Sequence, residues 1–489
     1  MYTENWYRQL GEYRMVNGNK IKGVIGATMH MVHICGKNIV IDCGVGFNKS
    51  RETQTQFVPD GNWLVGARID LIILTHKHLD HSGAIPRLVW HHPEALVMMS
   101  IKCFEGAKIS LEDSLKIWQS DAKSAKWNGL PVPGQIFTEE MLDSFYNNPN
   151  LSLFDPPCWF DEQEGLQDQW PGWEIGFYQS GHDTGAISAY IISPDSRTFY
   201  LTGDIASHDQ ENSRGILLPP DNFLGDFFDR DRPGLTMVTE ATNGALRMEK
   251  TRQNLDKELN DLLKSVRERD GIALFLVFAA TKASNMLVKL NNLGYRAVVD
   301  GLARQHVRVE VSDIDQRLED GRVVFIEERD NELAWKQRAE YAAGVHGFVP
   351  VVAPSATLDH GFAASFYAPR VLPDEKNIAI FPGHVFDDST AKQLFKIKKG
   401  QTIKINQLVK GKLEPTHVNV KCDVSHFSYS SHDYQDGLIE RNRLVRPETL
   451  IIHHCPGEDA FNALADHVRI LSNPPENIRW GLNSETIYI

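Results

Sequence analysis

Short aliphatic runs that end sharply in polar residues mark the first half of the chain. Met29 to Ile34 and Ile39 to Ile41 flank the turn-type residues Gly36-Lys-Asn and predict a hairpin. Leu71 to Leu74 is brief, apolar and bounded by polar residues, which predicts a buried strand. Residues 105 to 147 predict mostly helix, broken at Gly129 to Gly134, and strands return at 173–178, 187–192 and 198–201. Beyond Glu240 the rhythm changes. The charged amphipathic segment from Glu249 to Asp270 predicts a helix, Ile272 to Phe278 a strand, and Lys282 to Asn292 another helix. Strand followed by helix, repeated to about residue 420, predicts an α/β unit with a mainly parallel sheet. The remainder returns to short strands and polar loops.

With 489 residues, 42% hydrophobic and 24% charged, the chain has the composition of a globular protein of two or three domains. Its net charge of -13 excludes a protein that coats nucleic acid by overall charge. A polyanionic substrate would need local positive potential from lysines, arginines or metal ions. The six cysteines are scattered without a C-x-x-C pair, which argues against a thiolate zinc site and a disulfide framework. The first residues carry no apolar signal core, and no run reaches membrane-spanning length, so the expectation is a cytoplasmic protein with no membrane partner.

The candidate chemistry follows the Leu71–Leu74 run. His76, His78, Asp80 and His81 form the pattern H-x-H-x-D-H, whose imidazoles and carboxylate are ligands that zinc favours. Two ligands facing each of two points suggest a pair of ions. Four later places share the same grammar of a ligand-type residue beside a strand end or a glycine. They are His182 in Ser180–Gly185, Asp204 after Gly203, His432 in Ser430–Asp433, and the His453-His454 pair after Leu450-Ile-Ile. Each alone is ordinary; loops at strand ends are where sites are assembled.

These motifs resemble the metallo-β-lactamase fold, and the hairpin ending at Asp42-Cys-Gly44 matches that family's first motif. Val238-Thr-Glu240-Ala-Thr-Asn-Gly244, Phe427 to Asp433 and Ile451 to Glu458 resemble motifs A, B and C of its β-CASP branch. Ser430 to Leu438 is similar to ribonuclease J, and the resemblance extends to the cleavage/polyadenylation-type RNA endonucleases. It implies an αββα sandwich (residues 1–239 and 425–489) interrupted by a parallel-sheet β-CASP domain (residues 240–424). Ala241, Asn243, His360 and His384 depart from the usual β-CASP pattern, and none removes a ligand position.

The resemblance also implies roles. His76, His78 and His182 would hold one zinc, and Asp80, His81 and His454 the other, with Asp204 bridging. His453 is the competing last ligand. Manganese is the alternative ion, since nitrogen and oxygen ligands accept both. Asp42 would support the ligand loops from behind, and His432 oriented by Glu240 would protonate the leaving group, making Asp80, Asp204, Glu240 and His432 the catalytic set. The implied reaction is hydrolysis of RNA by a hydroxide activated between two zincs, leaving 5′-phosphate and 3′-hydroxyl ends. A DNA nuclease and a non-catalytic subunit of an RNA-processing complex are the alternatives. Endonuclease and 5′–3′ exonuclease modes both stay open, as does a homodimer. For RNA contact, Lys398, Lys399, Lys404 and Ser431 are the candidates. The three lysines lie in a tract from Lys392 to Lys412 that holds seven lysines and no acid.

Overall fold

The structure, a computed structural model, describes residues 4–16, 19–49, 54–161, 166, 170–216, 234–387, 389–409 and 412–489. The chain divides into two compact units, Met1–Met248 with Ser431–Ile489, and Glu249–Ser430.

Two seven-stranded sheets form the first unit. One runs in the order Leu151–Phe154, Leu96–Ser100, Leu71–Ile73, Lys37–Ile41, His30–Ile34, Trp6–Gln9 and Thr486–Tyr488. The other runs Cys158–Phe160, Glu174–Gln179, Ile187–Ile192, Thr198–Leu201, Leu235–Glu240, Thr449–His453 and Asn477–Trp480. Successive side chains of a strand point to opposite faces. Ile39, Ile41, Leu71 and Ile73 therefore meet Phe177, Ile187, Leu201 and Ile451 between the sheets. Val40, Ile72 and Val97 face outward and are covered by helices through Leu88, Leu111 and Phe145. On the outer face of the second sheet, Tyr200, Met237 and Ile452 meet Leu438 and Leu464 of the helices Gln435–Val445 and Glu458–Arg469. Helix, sheet, sheet, helix is the αββα sandwich.

The second unit has a six-stranded sheet whose pairings are all parallel, in the order Val323–Phe325, Ala297–Val299, Val351–Pro354, Ala273–Val277, Ile378–Phe381 and Asp423–His426. Apolar clusters cover both faces, as expected for strands reached by helical crossovers. The predicted helices appear as Arg252–Glu268 and Lys282–Asn292.

The chain leaves the first unit later than residue 239 and returns later than residue 425. Past the strand Leu235–Glu240, the Ala241 N–H still donates to the His453 carbonyl, so the following turn stays with the sandwich. On return, the Phe427 N–H donates to the Phe381 carbonyl within the parallel-sheet unit, and the Asp433 N–H donates to Ile205 in the sandwich. Among the described residues, no helix is long and apolar enough to cross a membrane.

Candidate metal centre

Five strand ends and turns of the first unit deliver the chemistry. Downstream of Leu71–Ile73 the chain stays irregular through His76. It then closes one helical turn, Leu79–Ser82, with His78 as its first cap. It places Asp80 and His81 on this turn, past His76 and His78. Gly44 makes the turn fit: a Cβ there would lie 1.6 Å from the Asp80 carbonyl oxygen. The His182 turn needs Gly181 at φ +79°, where a Cβ would sit 2.2 Å from the Ala206 carbonyl. Buried Lys77 reaches Asp183 at 2.8 Å and pins that turn to the H-x-H-x-D-H segment.

The early and late residues converge. His76, His78 and His182 form one set able to hold an ion. In the other expected set, His81 Nε2 lies 3.4 Å from His454 Nε2, and Asp80 Oδ2 lies 3.5 Å from His454 Nε2 and 3.9 Å from His81 Nε2. Between the sets, Asp204 Oδ2 is 3.6 Å from His76 Nε2, 3.5 Å from His81 Nε2 and 3.8 Å from His182 Nε2, while its Oδ1 is 3.7 Å from His454 Nδ1. Those to Asp204 exceed hydrogen-bond length, and the rest lie at its long edge or beyond. They are close to the edge of a tetrahedron of ligands around one zinc, about 3.4 Å for bonds near 2.1 Å.

Two orphaned atoms show that these residues fit a cation. His76 Nε2 and Asp204 Oδ1 are buried without a hydrogen-bond partner, a costly state unless something binds them. Charge agrees. Burial, then the neighbouring imidazoles, holds His76 and His182 well below the usual histidine range, so their ring nitrogens are available as lone pairs. Burial also opposes charge on His81 and His454, yet Asp204 with Asp42 and Asp80 lifts His81 to about 9. Asp204, Asp80 and Glu12 lift His454 to about 10. The carboxylates thus favour positive charge here, which a bound cation would supply in place of these protons.

Around this cluster, other side chains fix the rings. Asp42 Oδ2 lies 2.7 Å from His81 Nδ1, and its two oxygens accept the N–H and hydroxyl of Thr75. The Ser431 carbonyl lies 3.0 Å from His182 Nδ1, and the Thr242 hydroxyl 2.9 Å from His454 Nδ1. His432 Nδ1 is 2.9 Å from Glu240 Oε1 and 3.9 Å from Asp204 Oδ2. Burial opposes the charged form of His432, and Glu240 with Asp204 raises its pKa over that cost; Glu240 itself is held down to about 2, burial notwithstanding, chiefly by His432.

Of the two competing histidines, His454 faces the cluster, whereas His453 turns to Glu12, with Nδ1 3.0 Å from Oε1. Glu12, Thr75 and Thr242 are the contacts missed in the sequence. Thr75 and Thr242 lie inside the motif segments but are not ligand-type residues, and Glu12, in no motif, is 442 residues from the backbone N–H it holds. Lys398, Lys399 and Lys404 lie in the other unit and are exposed. The acid-free tract has acids brought to it by folding: Lys399 Nζ is 2.5 Å from Asp423 and Lys392 Nζ is 2.9 Å from Asp387. Lys410 lies outside the described residues.

Comparison with known proteins matches this architecture. Residues 23–241 match the metallo-beta-lactamase superfamily. The chain is 24% identical to "Probable RNase MJ4" of Methanocaldococcus jannaschii, over 85% of this chain and 87% of that protein. It is 21% identical to "Endoribonuclease YSH1" of Saccharomyces cerevisiae, over 88% of this chain and 53% of the longer relative. A solved protein of unknown function from Enterococcus faecalis V583 shares the fold over the full length of both chains, with a TM-score of 0.54 at 13% identity. The chain thus carries a metallo-β-lactamase superfamily domain, and its relatives, β-CASP RNA nucleases, align across the interrupting parallel-sheet unit as well as the sandwich.

Proposed function

We propose that this protein is a metal-dependent ribonuclease that hydrolyses RNA phosphodiester bonds at the cluster around Asp204. The observation that carries the reading is the convergence of four histidines, His76, His81, His182 and His454, on the Asp204 carboxylate. Relatives named as an RNase and an endoribonuclease support RNA as the substrate.

His76, His78 and His182 would hold one divalent ion and Asp80, His81 and His454 a second, with Asp204 between them. Bound there, zinc or manganese would make water a stronger nucleophile and offset negative charge on phosphoryl oxygens. Asp42 keeps His81 in a fixed tautomer by taking its Nδ1 side, which leaves Nε2 turned to the cluster. The Ser431 carbonyl does the same for His182. Glu240 orients His432 and favours its protonated form, so the imidazole can give a proton to the departing 3′-oxygen. Cleavage on that side of phosphorus leaves 5′-phosphate and 3′-hydroxyl ends. Glu249–Ser430 is the inserted domain, and its exposed Lys398 and Lys404 supply positive charge for the backbone of the strand.

The test is cleavage of matched single-stranded RNA and DNA, end-labelled and bearing a 5′-monophosphate or triphosphate, by protein loaded with zinc or manganese. RNA cut in preference to DNA, with loss of cutting in Asp80→Ala and His81→Ala, supports the proposal. Cleavage of DNA alone makes it a DNA nuclease. No cleavage of either by fully metallated protein favours the non-catalytic subunit.

A further inference from the structure

Beyond the cluster, Glu12, His30 and His453 form a fully buried group that the proposed chemistry does not use. Glu12 directs its two oxygens at consecutive residues of one distant turn. Oε1 lies 3.0 Å from His453 Nδ1, and Oε2 accepts the His454 N–H at 2.7 Å. The strand Thr449–His453 ends there, and His454 takes φ +49°. Left-handed backbone is strained for a non-glycine residue and persists where surrounding contacts dictate it. It also redirects the side chain that follows the strand, and the redirected His454 ring is the one near Asp80 and Asp204. Without Glu12, a buried N–H at this turn would lose its acceptor.

We propose that Glu12 is the positioning residue for His454: its carboxylate straps the strained His453–His454 backbone and so aims the His454 ring into the metal centre. The inference rests on the metal-centre reading above and adds to it the residue that sets one ligand's direction. Its hydrogen bonds occupy both Glu12 oxygens. His30 Nδ1 faces the Tyr7 hydroxyl at 2.8 Å, so His30 is held from outside the group. His30 Nε2 and His453 Nε2 are without hydrogen-bond partners, which makes an ion held by this group itself the competing arrangement.

The experiment compares wild type, Glu12→Ala, Glu12→Gln, Glu12→Asp, His30→Ala and His454→Ala, each loaded with cobalt(II). Ion content, chelator competition and the visible absorption of bound cobalt are read, with the melting temperature of metal-free protein as a folding control. Glu12→Ala should weaken one ion by about 10–100-fold and alter the cobalt spectrum. Glu12→Gln, whose amide oxygen still accepts the His454 N–H, should recover most of both. If Glu12→Ala does not fold, Glu12→Asp carries the test: its shorter side chain reaches one partner only, and a smaller loss of the same kind is expected. Wild-type affinity and spectrum in Glu12→Ala, with an ion lost in His454→Ala, would overturn the positioning role alone. So would a Gln variant as damaged as the Ala variant. Three ions in wild type, one of them lost in His30→Ala, would replace positioning with an ion at Glu12. Both ions retained in His454→Ala would remove the metal-centre reading, and this inference with it.

Discussion

Asp42 and His81, 39 residues apart, are joined at 2.7 Å between Oδ2 and Nδ1, and the same carboxylate accepts the backbone N–H of Thr75 just before His76. One buried carboxylate thereby ties the end of the hairpin to both halves of the H-x-H-x-D-H segment. Asp42→Ala is expected to lower affinity for the second ion by about 10–100-fold while the sandwich still folds, because the His81 ring loses the partner that fixes its tautomer. Chelator competition on the purified variant measures this. Unchanged affinity would mean that His81 is held by packing alone.

His432→Ala is expected to slow RNA cleavage by about 10²–10⁴-fold with both ions retained. Glu240→Gln should slow it less, since the amide oxygen still orients the ring without favouring its charge. Single-turnover rates alongside metal content distinguish a proton donor from a ligand. A His432→Ala variant as fast as wild type would remove the residue from the chemistry.

In the second unit, the salt dependence of RNA binding should separate the lysines. Lys398→Ala and Lys404→Ala should each flatten the slope of log affinity against log salt by about 0.7. Lys399→Ala should change it less, because Asp423 already sits 2.5 Å from its ammonium. Equal slopes in all three would place the strand elsewhere.

Burial, with Arg252 nearby, lowers Lys282 to about 7 from an ordinary 10.5. Below pH 7 the ammonium is charged in both folded and unfolded chains, and the fold bears the cost of burying it. Between pH 7 and 10.5 the unfolded chain binds more protons, so this group's contribution to stability rises with pH. Lys282→Met should therefore be more stable than wild type near pH 6, with the gap closing toward pH 10 in denaturant melts of the metal-free protein. A gap independent of pH would show that the ammonium is solvated in the native state.

The sequence carried the local parts of this structure well. Aliphatic runs such as Leu71–Leu74 and Ile272–Phe278 became buried strands, and Lys282–Asn292 became a helix with those bounds. The ligand motifs were readable because metal chemistry restricts which residues serve and where, at strand ends beside glycine. Less was readable where long-range contact decides the outcome. The helical turn Leu79–Ser82 is set by Gly44 packing beneath Asp80, and no periodicity within four residues signals it. Glu12 has no motif, since its partners are a ring and an N–H at the far end of the chain. The lysine tract looked free of acids because Asp423 and Asp387 lie outside it in sequence and beside it in space.

Anomalous diffraction at the zinc edge from crystals of zinc-loaded protein tests the central claim most directly. Two peaks per chain are expected, about 3.5–4 Å apart, on either side of the Asp204 carboxylate, one within bonding distance of His76, His78 and His182 and the other of Asp80, His81 and His454. No peak beside Asp204, or peaks confined to other side chains, would contradict the account.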